Sequence, residues 1–116
     1  MEQKQIDKIV RKHRLWAYQK KGGKRADFSG ADLRGANLKN AFLFGADFEG
    51  ANLEGADLSY SDFRWAILSG ANLCDADFRC TDLIRAYLNG AKMHKKELDE
   101  AALTQEQRDS IVLVKR

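Results

Sequence analysis

The residues best suited to chemistry in this 116-residue chain are two histidines, two cysteines and a recurring column of aspartate and asparagine. Imidazole, thiolate and carboxylate groups bind metals or catalyse reactions only where several of them converge. His13 and His94 have no Cys, Asp or Glu at a metal-ligand spacing, and Cys74 and Cys80 do not form a metal-binding or disulfide pair. The sequence therefore predicts no metal, no cofactor and no disulfide.

The aspartate and asparagine residues recur every five positions. Their column comprises Asp27, Asp32, Asn37, Asp47, Asn52, Asp57, Asp62, Asn72, Asp77 and Asp82. A side chain repeated along the whole structure favours a structural role, and Asp and Asn near turns accept hydrogen bonds from nearby backbone N–H groups. We expect this column to support the backbone, and we predict that the protein is not an enzyme.

A period of five residues positions all of these groups. From Ala26 through Lys95, a small residue lies two positions before a large apolar one in every unit, and it is alanine except at Ser61 and Thr81. We expect those two hydroxyls to bond to the adjacent backbone. The large residues are Phe28, Leu33, Leu38, Leu43, Phe48, Leu53, Leu58, Phe63, Leu68, Leu73, Phe78, Leu83, Leu88 and Met93. A fixed period of this kind marks a repeat architecture.

The spacing within each unit predicts a coil with short straight sides. Residues two apart in extended backbone lie on one face, so the small and the large residue both face inward. The next small residue comes three positions later, so a turn must restore the alternation once per unit. With four units per coil, residues 20 apart stack and one corner consists of glycine alone. That corner comprises Gly30, Gly50, Gly70 and Gly90. A four-sided solenoid is therefore favoured over a three-sided one.

The run Ala-Asp/Asn-Leu/Phe-X-X resembles the motif of the pentapeptide-repeat proteins over fourteen units. The resemblance implies an all-β solenoid, a right-handed quadrilateral β-helix, in a family of mostly uncharacterised bacterial proteins without enzymatic activity. Phe42, Ile67, Tyr87 and Lys92 depart from the pattern at the usual Asp/Asn position.

Segments at both ends are expected to cap the solenoid, because open ends expose apolar cross-section and unpaired edges. Residues 1–25 are predicted to form an amphipathic α-helix followed by a Gly-Gly linker. The repeat occupies 26–105 and is weakest after residue 95. Residues 106–116 form a C-terminal cap or tail, with a short helix opened by a capping box at Thr104.

Charge is distributed unevenly. Residues 1–25 have a net charge of +7, from nine Lys/Arg and two Asp/Glu, and residues 26–116 have −4, from eleven and fifteen. The simpler explanation of this distribution is attraction between the basic segment and the acidic remainder of the chain. Binding of nucleic acid by the basic segment is the weaker explanation. No apolar run approaches the roughly 20 residues of a membrane span, and no secretory signal is evident. We predict a cytoplasmic protein without a transmembrane segment.

An outward apolar patch is the main indication of function. In the four-sided register, this candidate interaction patch comprises Phe42, Phe44, Trp65, Ile67, Ile84 and Tyr87. Such patches mark contacts with another element or molecule. Three occupants remain open: a terminal segment of the same chain, a second copy in a homodimer, or a separate protein partner.

The sequence therefore predicts a non-catalytic, rigid protein-interaction scaffold. The resemblance supplies an alternative, a DNA mimic that binds DNA gyrase and protects it from quinolones. That role suits a long, acidic, dimeric rod, whereas this chain has about four coils at most and begins with a basic segment. The scaffold is the preferred interpretation.

Overall fold

Residues 20 apart in sequence lie side by side, as a coil with four five-residue sides requires. A computed structural model describes all residues, 1–116. Ten parallel bridges, from Asp27–Asp47 to Asn72–Lys92, all have this 20-residue separation. The four-sided prediction is confirmed, and the coils build a rod of 43 × 26 × 22 Å.

Regular secondary structure is confined to the two ends of the rod. Helix α1 spans Gln3–Ala17 and precedes the first coil. After the coils come strand β1 (Lys92–Met93), helix α2 (Lys95–Glu100), helix α3 (Gln105–Ser110) and strand β2 (Val112–Leu113). β1 and β2 pair in parallel, again with partners 20 apart.

The sides of the coil are too short to be continuous strands, which refines the expectation of an all-β solenoid. Each side contributes a single bridging residue before the chain turns, so β1 and β2 are the only strands, each of two residues. The architecture is held by isolated bridges stacked in four columns. Helix α2 occupies positions 95–100, where the repeat was expected to weaken.

A left-handed residue forms each corner. At one corner the N–H of Ala31 donates to the carbonyl oxygen of Phe28 at 3.0 Å across Gly30, whose φ is 66°. Seven units have a residue other than glycine at this position; the last of them, Lys95, begins α2, and the other six still adopt a positive φ. They are Asn40, Tyr60, Trp65, Asp75, Cys80 and Arg85. The stacking of the coils therefore overrides a local preference that disfavours this conformation in L-residues.

The interior is a dry shaft of stacked side chains. Leu53 and Leu73, one coil apart, both have 0% of their surface exposed. The ring of Phe28 stacks on that of Phe48 with centroids 5.0 Å apart. One cluster of 26 buried residues runs through the rod. Burial of each Leu or Phe contributes about 1.5–3 kcal/mol, so the shaft is the main source of stability.

Polar residues of the repeat bond to nearby backbone, as predicted. Oδ1 of Asp27 accepts from the N–H of Ser29 at 3.0 Å, and this pattern recurs along the column. Hydrogen bonds from Ser29 hold the pKa of Asp27 below its usual value. The hydroxyls of Ser61 and Thr81 both donate to the carbonyl oxygen of Leu58.

We expect Gly70→Ala to lower the free energy of unfolding by about 1 kcal/mol, because alanine is strained in the left-handed region. Crowding is not the cause, since an added Cβ would meet only the Cα of Gly50 at 4.0 Å. The matched change Cys80→Gly relieves the strain at a φ of 54° and should raise stability by about 0.5 kcal/mol. Urea unfolding measures both. Equal stability of the two variants and the wild type would show that the corners carry no strain.

Candidate functional site

The structure divides the candidate patch into a covered part and an exposed part. Phe42, Phe44 and Ile67 are half-buried. Trp65 is 43% exposed, Ile84 62% and Tyr87 49%. We call Trp65, Ile84 and Tyr87 the exposed strip. The six residues therefore do not form one open surface.

The C-terminal end of α1 covers the ring of Phe42, and Arg64 of the repeat covers the ring of Phe44. The ring of Tyr18, just after the helix, stacks on Phe42 with centroids 5.6 Å apart, and His13 lies 6.3 Å from the same ring. The guanidinium of Arg64 sits 5.2 Å above the ring of Phe44, a cation–π contact. This part of the patch is occupied by the chain itself.

Side chains of α1 take the place of a missing coil at the open edge beneath the repeat. His13, with 0% exposure, accepts from the N–H of Ala26 at Nδ1 (2.9 Å) and donates from Nε2 to the carbonyl of Phe44 (2.8 Å). The amide of Gln3 likewise accepts from the N–H of Asn37 and donates to its carbonyl, at 2.9 and 2.8 Å. The amphipathic pattern of residues 1–25 does not predict these bonds to the edge of the first coil.

The exposed strip lies beside a groove. The N–H of Trp65 donates to the carbonyl of Ile84 at 3.1 Å, which places the two residues on adjacent coils. The guanidinium of Arg85 lies 5.5 Å above the Trp65 ring. A groove of about 610 Å³ separates Ile84 and Tyr87 from α3, where Gln107 forms part of the opposite wall.

The backbone edge at this groove is only partly paired. The side-chain amide of Gln107 donates to the carbonyls of Leu83 (2.9 Å) and Ala86 (3.1 Å). The N–H groups of Leu83 and Leu88 have no acceptor within the chain. The edge formed by the third and fourth coils therefore has unpaired backbone donors near exposed apolar side chains.

Cys74, His94 and Glu97 converge on another side of the rod. Their potential ligand atoms lie within 4.8 Å of one another. The expectation that His94 has no Cys or Glu partner at a metal-ligand spacing is wrong. Cys74 is only 5% exposed, and burial, with the neighbouring carboxylate of Glu97, raises the pKa of its thiol.

The missed signal was partly present in the sequence. Cys74 and His94 are 20 residues apart, so the four-sided register already stacks them. Glu97 had no such signal, because α2 leaves the repeat and folds back over this column. Cys80 is exposed, and both cysteines are free.

These features define a class of protein, a solenoid of short repeats with capped ends. A family model described as "Pentapeptide repeats" matches residues 24–59 and 56–94 with eight copies, which is more than half of the chain. The chain belongs to the pentapeptide-repeat family, as its five-residue motif predicted. Members of this family form right-handed quadrilateral β-helices.

Several solved structures of this family are similar to the chain. Rfr23 from the cyanobacterium Cyanothece 51142 is 33% identical with a TM-score of 0.55, and the alignment covers 58% of this chain and 46% of that one. HetL from Nostoc sp. strain PCC 7120, involved in heterocyst differentiation regulation, is 42% identical over 61% of this chain and 38% of its own, with a TM-score of 0.41.

A pentapeptide repeat protein from the thylakoid lumen of Arabidopsis thaliana is 31% identical over 72% of this chain and 69% of its own, with a TM-score of 0.41. By comparison, this chain spans about half the length of Rfr23. No curated protein matches it. None of its helices combines the length and apolar character needed to cross a bilayer.

The stability of the protein should decrease as the pH falls below about 6.5, the ordinary pKa of histidine. Burial lowers the pKa of His13; the bond to the carbonyl of Phe44 opposes this shift in part, and the positive charge of Arg25 adds a smaller lowering. The unfolded chain therefore binds this proton more readily than the folded one, and folding loses free energy as the pH falls from that value toward the lowered pKa. Urea unfolding at about pH 7.5 and about pH 5 measures the loss.

The matched variant is His13→Gln, whose amide offers one donor and one acceptor but does not titrate. We expect its stability to change less over this pH interval than that of the wild type. Hydrogen-bonded carboxylates such as Asp27 have lowered pKa values, so their contribution to folding stability is lost only below about pH 4. They therefore do not affect the comparison between about pH 7.5 and about pH 5. If the free energy of unfolding depends equally on pH in both proteins, His13 is not the cause of that dependence.

Proposed function

We propose that the protein is a non-catalytic scaffold that binds a protein partner through the exposed strip and its groove. The observation that carries this proposal is the coincidence of three large exposed apolar side chains with backbone donors that lack acceptors. Exposed apolar side chains favour removal from water, and a docked polypeptide would also supply acceptors for the N–H groups that its binding removes from water.

The rod is suited to present this surface without rearrangement. Its interior is filled by the cluster of 26 buried residues, and adjacent coils are linked by backbone hydrogen bonds at every side. A partner then pays little to order the surface on binding. Trp65 and Tyr87 belong to the residue types that most often anchor interfaces.

The unpaired edge favours a partner that contributes extended backbone. A segment laid along the groove could accept hydrogen bonds from the N–H groups of Leu83 and Leu88 while its side chains pack on Ile84 and Tyr87. Peptides that add a strand to an exposed sheet edge are recognised in this way. A second copy of the chain is the other source of such a segment, so a homodimer is an outcome of the test below.

The surface charge gives less support to DNA mimicry and protection of gyrase. Several outward carboxylates are neutralised by an arginine two residues further on, with N–O distances of 2.7–2.8 Å. These pairs are Asp32–Arg34, Asp62–Arg64 and Asp77–Arg79. With a net charge of +3 for the chain, the rod lacks the continuous negative surface of a DNA duplex. An assay of DNA supercoiling by gyrase, with and without the protein, tests this alternative. If the protein is a DNA mimic that binds gyrase, it must change the supercoiling activity.

We expect the double change Trp65→Ser and Tyr87→Ser to weaken partner binding by on the order of 10-fold or more, because interface aromatics commonly contribute over 1 kcal/mol each. The matched control is Tyr60→Ser, which removes an aromatic side chain of 53% exposure at an equivalent corner outside the strip. Partners are compared by quantitative pull-down from source cells, and the solution mass of each variant by light scattering.

Three results separate the occupants. Loss of a captured protein from the double variant but not from Tyr60→Ser supports a separate partner, and loss of a dimer supports self-association. Unchanged mass and capture, together with a large loss of thermal stability, would show that the strip serves intramolecular packing. That last result contradicts the proposal. The absence of catalysis and the cytoplasmic location remain predictions.

A further inference from the structure

We propose that Cys74, His94 and Glu97 form a binding site for a zinc-class divalent metal ion. The three residues come from different parts of the rod: the third coil, the fourth coil and helix α2. A shared ion would fasten the C-terminal cap to the two last coils. The site lies away from the exposed strip, and the proposal does not depend on the function proposed above.

The spacing of the ligand atoms fits one ion after small side-chain rotations. Sγ of Cys74, a ring nitrogen of His94 and a carboxylate oxygen of Glu97 all lie within 4.8 Å of one another. Ligands of a tetrahedral zinc are about 3.3–3.8 Å apart, as bond lengths of about 2.0–2.3 Å require. A contraction of about 1 Å closes the site, and the backbone already holds the residues in place.

The imidazole of His94 is oriented as a metal ligand. Its Nδ1 lies 2.7 Å from the carbonyl oxygen of Val114, an acceptor, so Nδ1 carries the proton and Nε2 keeps its lone pair. Histidines that bind metals usually donate their other ring N–H to a carbonyl or carboxylate in this way. Oδ2 of Asp75 lies 3.9 Å from Nε2, but this carboxylate is paired with the guanidinium of Arg116, so a water molecule would complete the tetrahedral coordination.

Glu97 is the independent indication that a cation belongs here. Its side chain is 1% exposed, and Oε1 accepts from the N–H of His94 at 2.9 Å. No Lys or Arg nitrogen lies within 4.0 Å of its carboxylate, since Glu97 takes part in none of the ion pairs. A buried carboxylate without a cation is costly, and a metal ion would supply the missing charge.

The donor set selects the class of metal. A thiolate, an imidazole and a carboxylate together suit zinc and similar borderline ions, whereas magnesium and calcium prefer oxygen ligands alone. One thiolate and one carboxylate also balance the charge of a divalent ion. The buried site would then carry no net charge, which favours the bound state in an apolar setting.

Cobalt(II) titration of the full chain tests the site directly. We expect one equivalent to bind with a near-ultraviolet thiolate-to-cobalt charge-transfer band and with the intense visible bands of tetrahedral cobalt, and we expect zinc to abolish both. Cys74→Ser should lose the charge-transfer band and weaken binding by more than about 100-fold, beyond the effect typical of changes outside the ligand shell. Cys80→Ser is the matched control, because it removes the other free thiol.

The wild-type spectrum keeps the test decisive even if Cys74→Ser folds poorly. His94→Gln leaves the thiol in place and gives a second measurement, the rise in melting temperature on addition of zinc, which should be lost. A wild-type protein without the charge-transfer band would overturn the proposal. Equal zinc stabilisation of the wild type and His94→Gln would overturn it as well.

Discussion

Backbone hydrogen bonding between residues 20 apart is the constraint on which this structure depends. It requires every side of the coil to contain five residues, so that the bridging residues meet their backbone partners one coil away. It also holds the fifth residue of every unit before α2 in the left-handed region, even where that residue is tryptophan or tyrosine. The energy of the filled shaft and the stacked bridges outweighs the strain at these corners.

The same constraint creates the need for caps. A stack of coils always ends in two edges whose backbone groups face no further coil. At the first edge, the imidazole of His13 and the amide of Gln3 supply donors and acceptors in place of backbone. At the last edge, α3 and β2 pair with part of the coil, while Leu83 and Leu88 keep unpaired N–H groups. This asymmetry locates the proposed interaction surface at the C-terminal end.

Stacking also turns sequence columns into surface neighbours. Side chains 20 apart become adjacent, as with the ring of Trp65 and the guanidinium of Arg85. Cys74 and His94 meet for the same reason, although nothing in their immediate sequence links them. In a solenoid of this kind, the chemistry of a site is determined by a column of the repeat together with whatever end segment folds over it.

The sequence alone determined the repeat, the four-sided register, the inward leucines and phenylalanines, and the turn-supporting role of the aspartates. These follow from a local period, because the pattern of small, large and corner residues in one unit repeats in the next. The register also stacks Cys74 on His94, a pairing that residue spacing along the chain does not indicate, because the two residues meet only across coils.

Only the tertiary structure decided what the ends of the chain cover. Phe42 is shielded by the end of α1, whereas Tyr87 stays exposed, although both are aromatic residues at the usual Asp/Asn position of the repeat. Glu97 reaches Cys74 only because α2 leaves the repeat and folds back. The end segments have no periodic signal, so their position depends on contacts with surfaces that exist only once the coils have stacked.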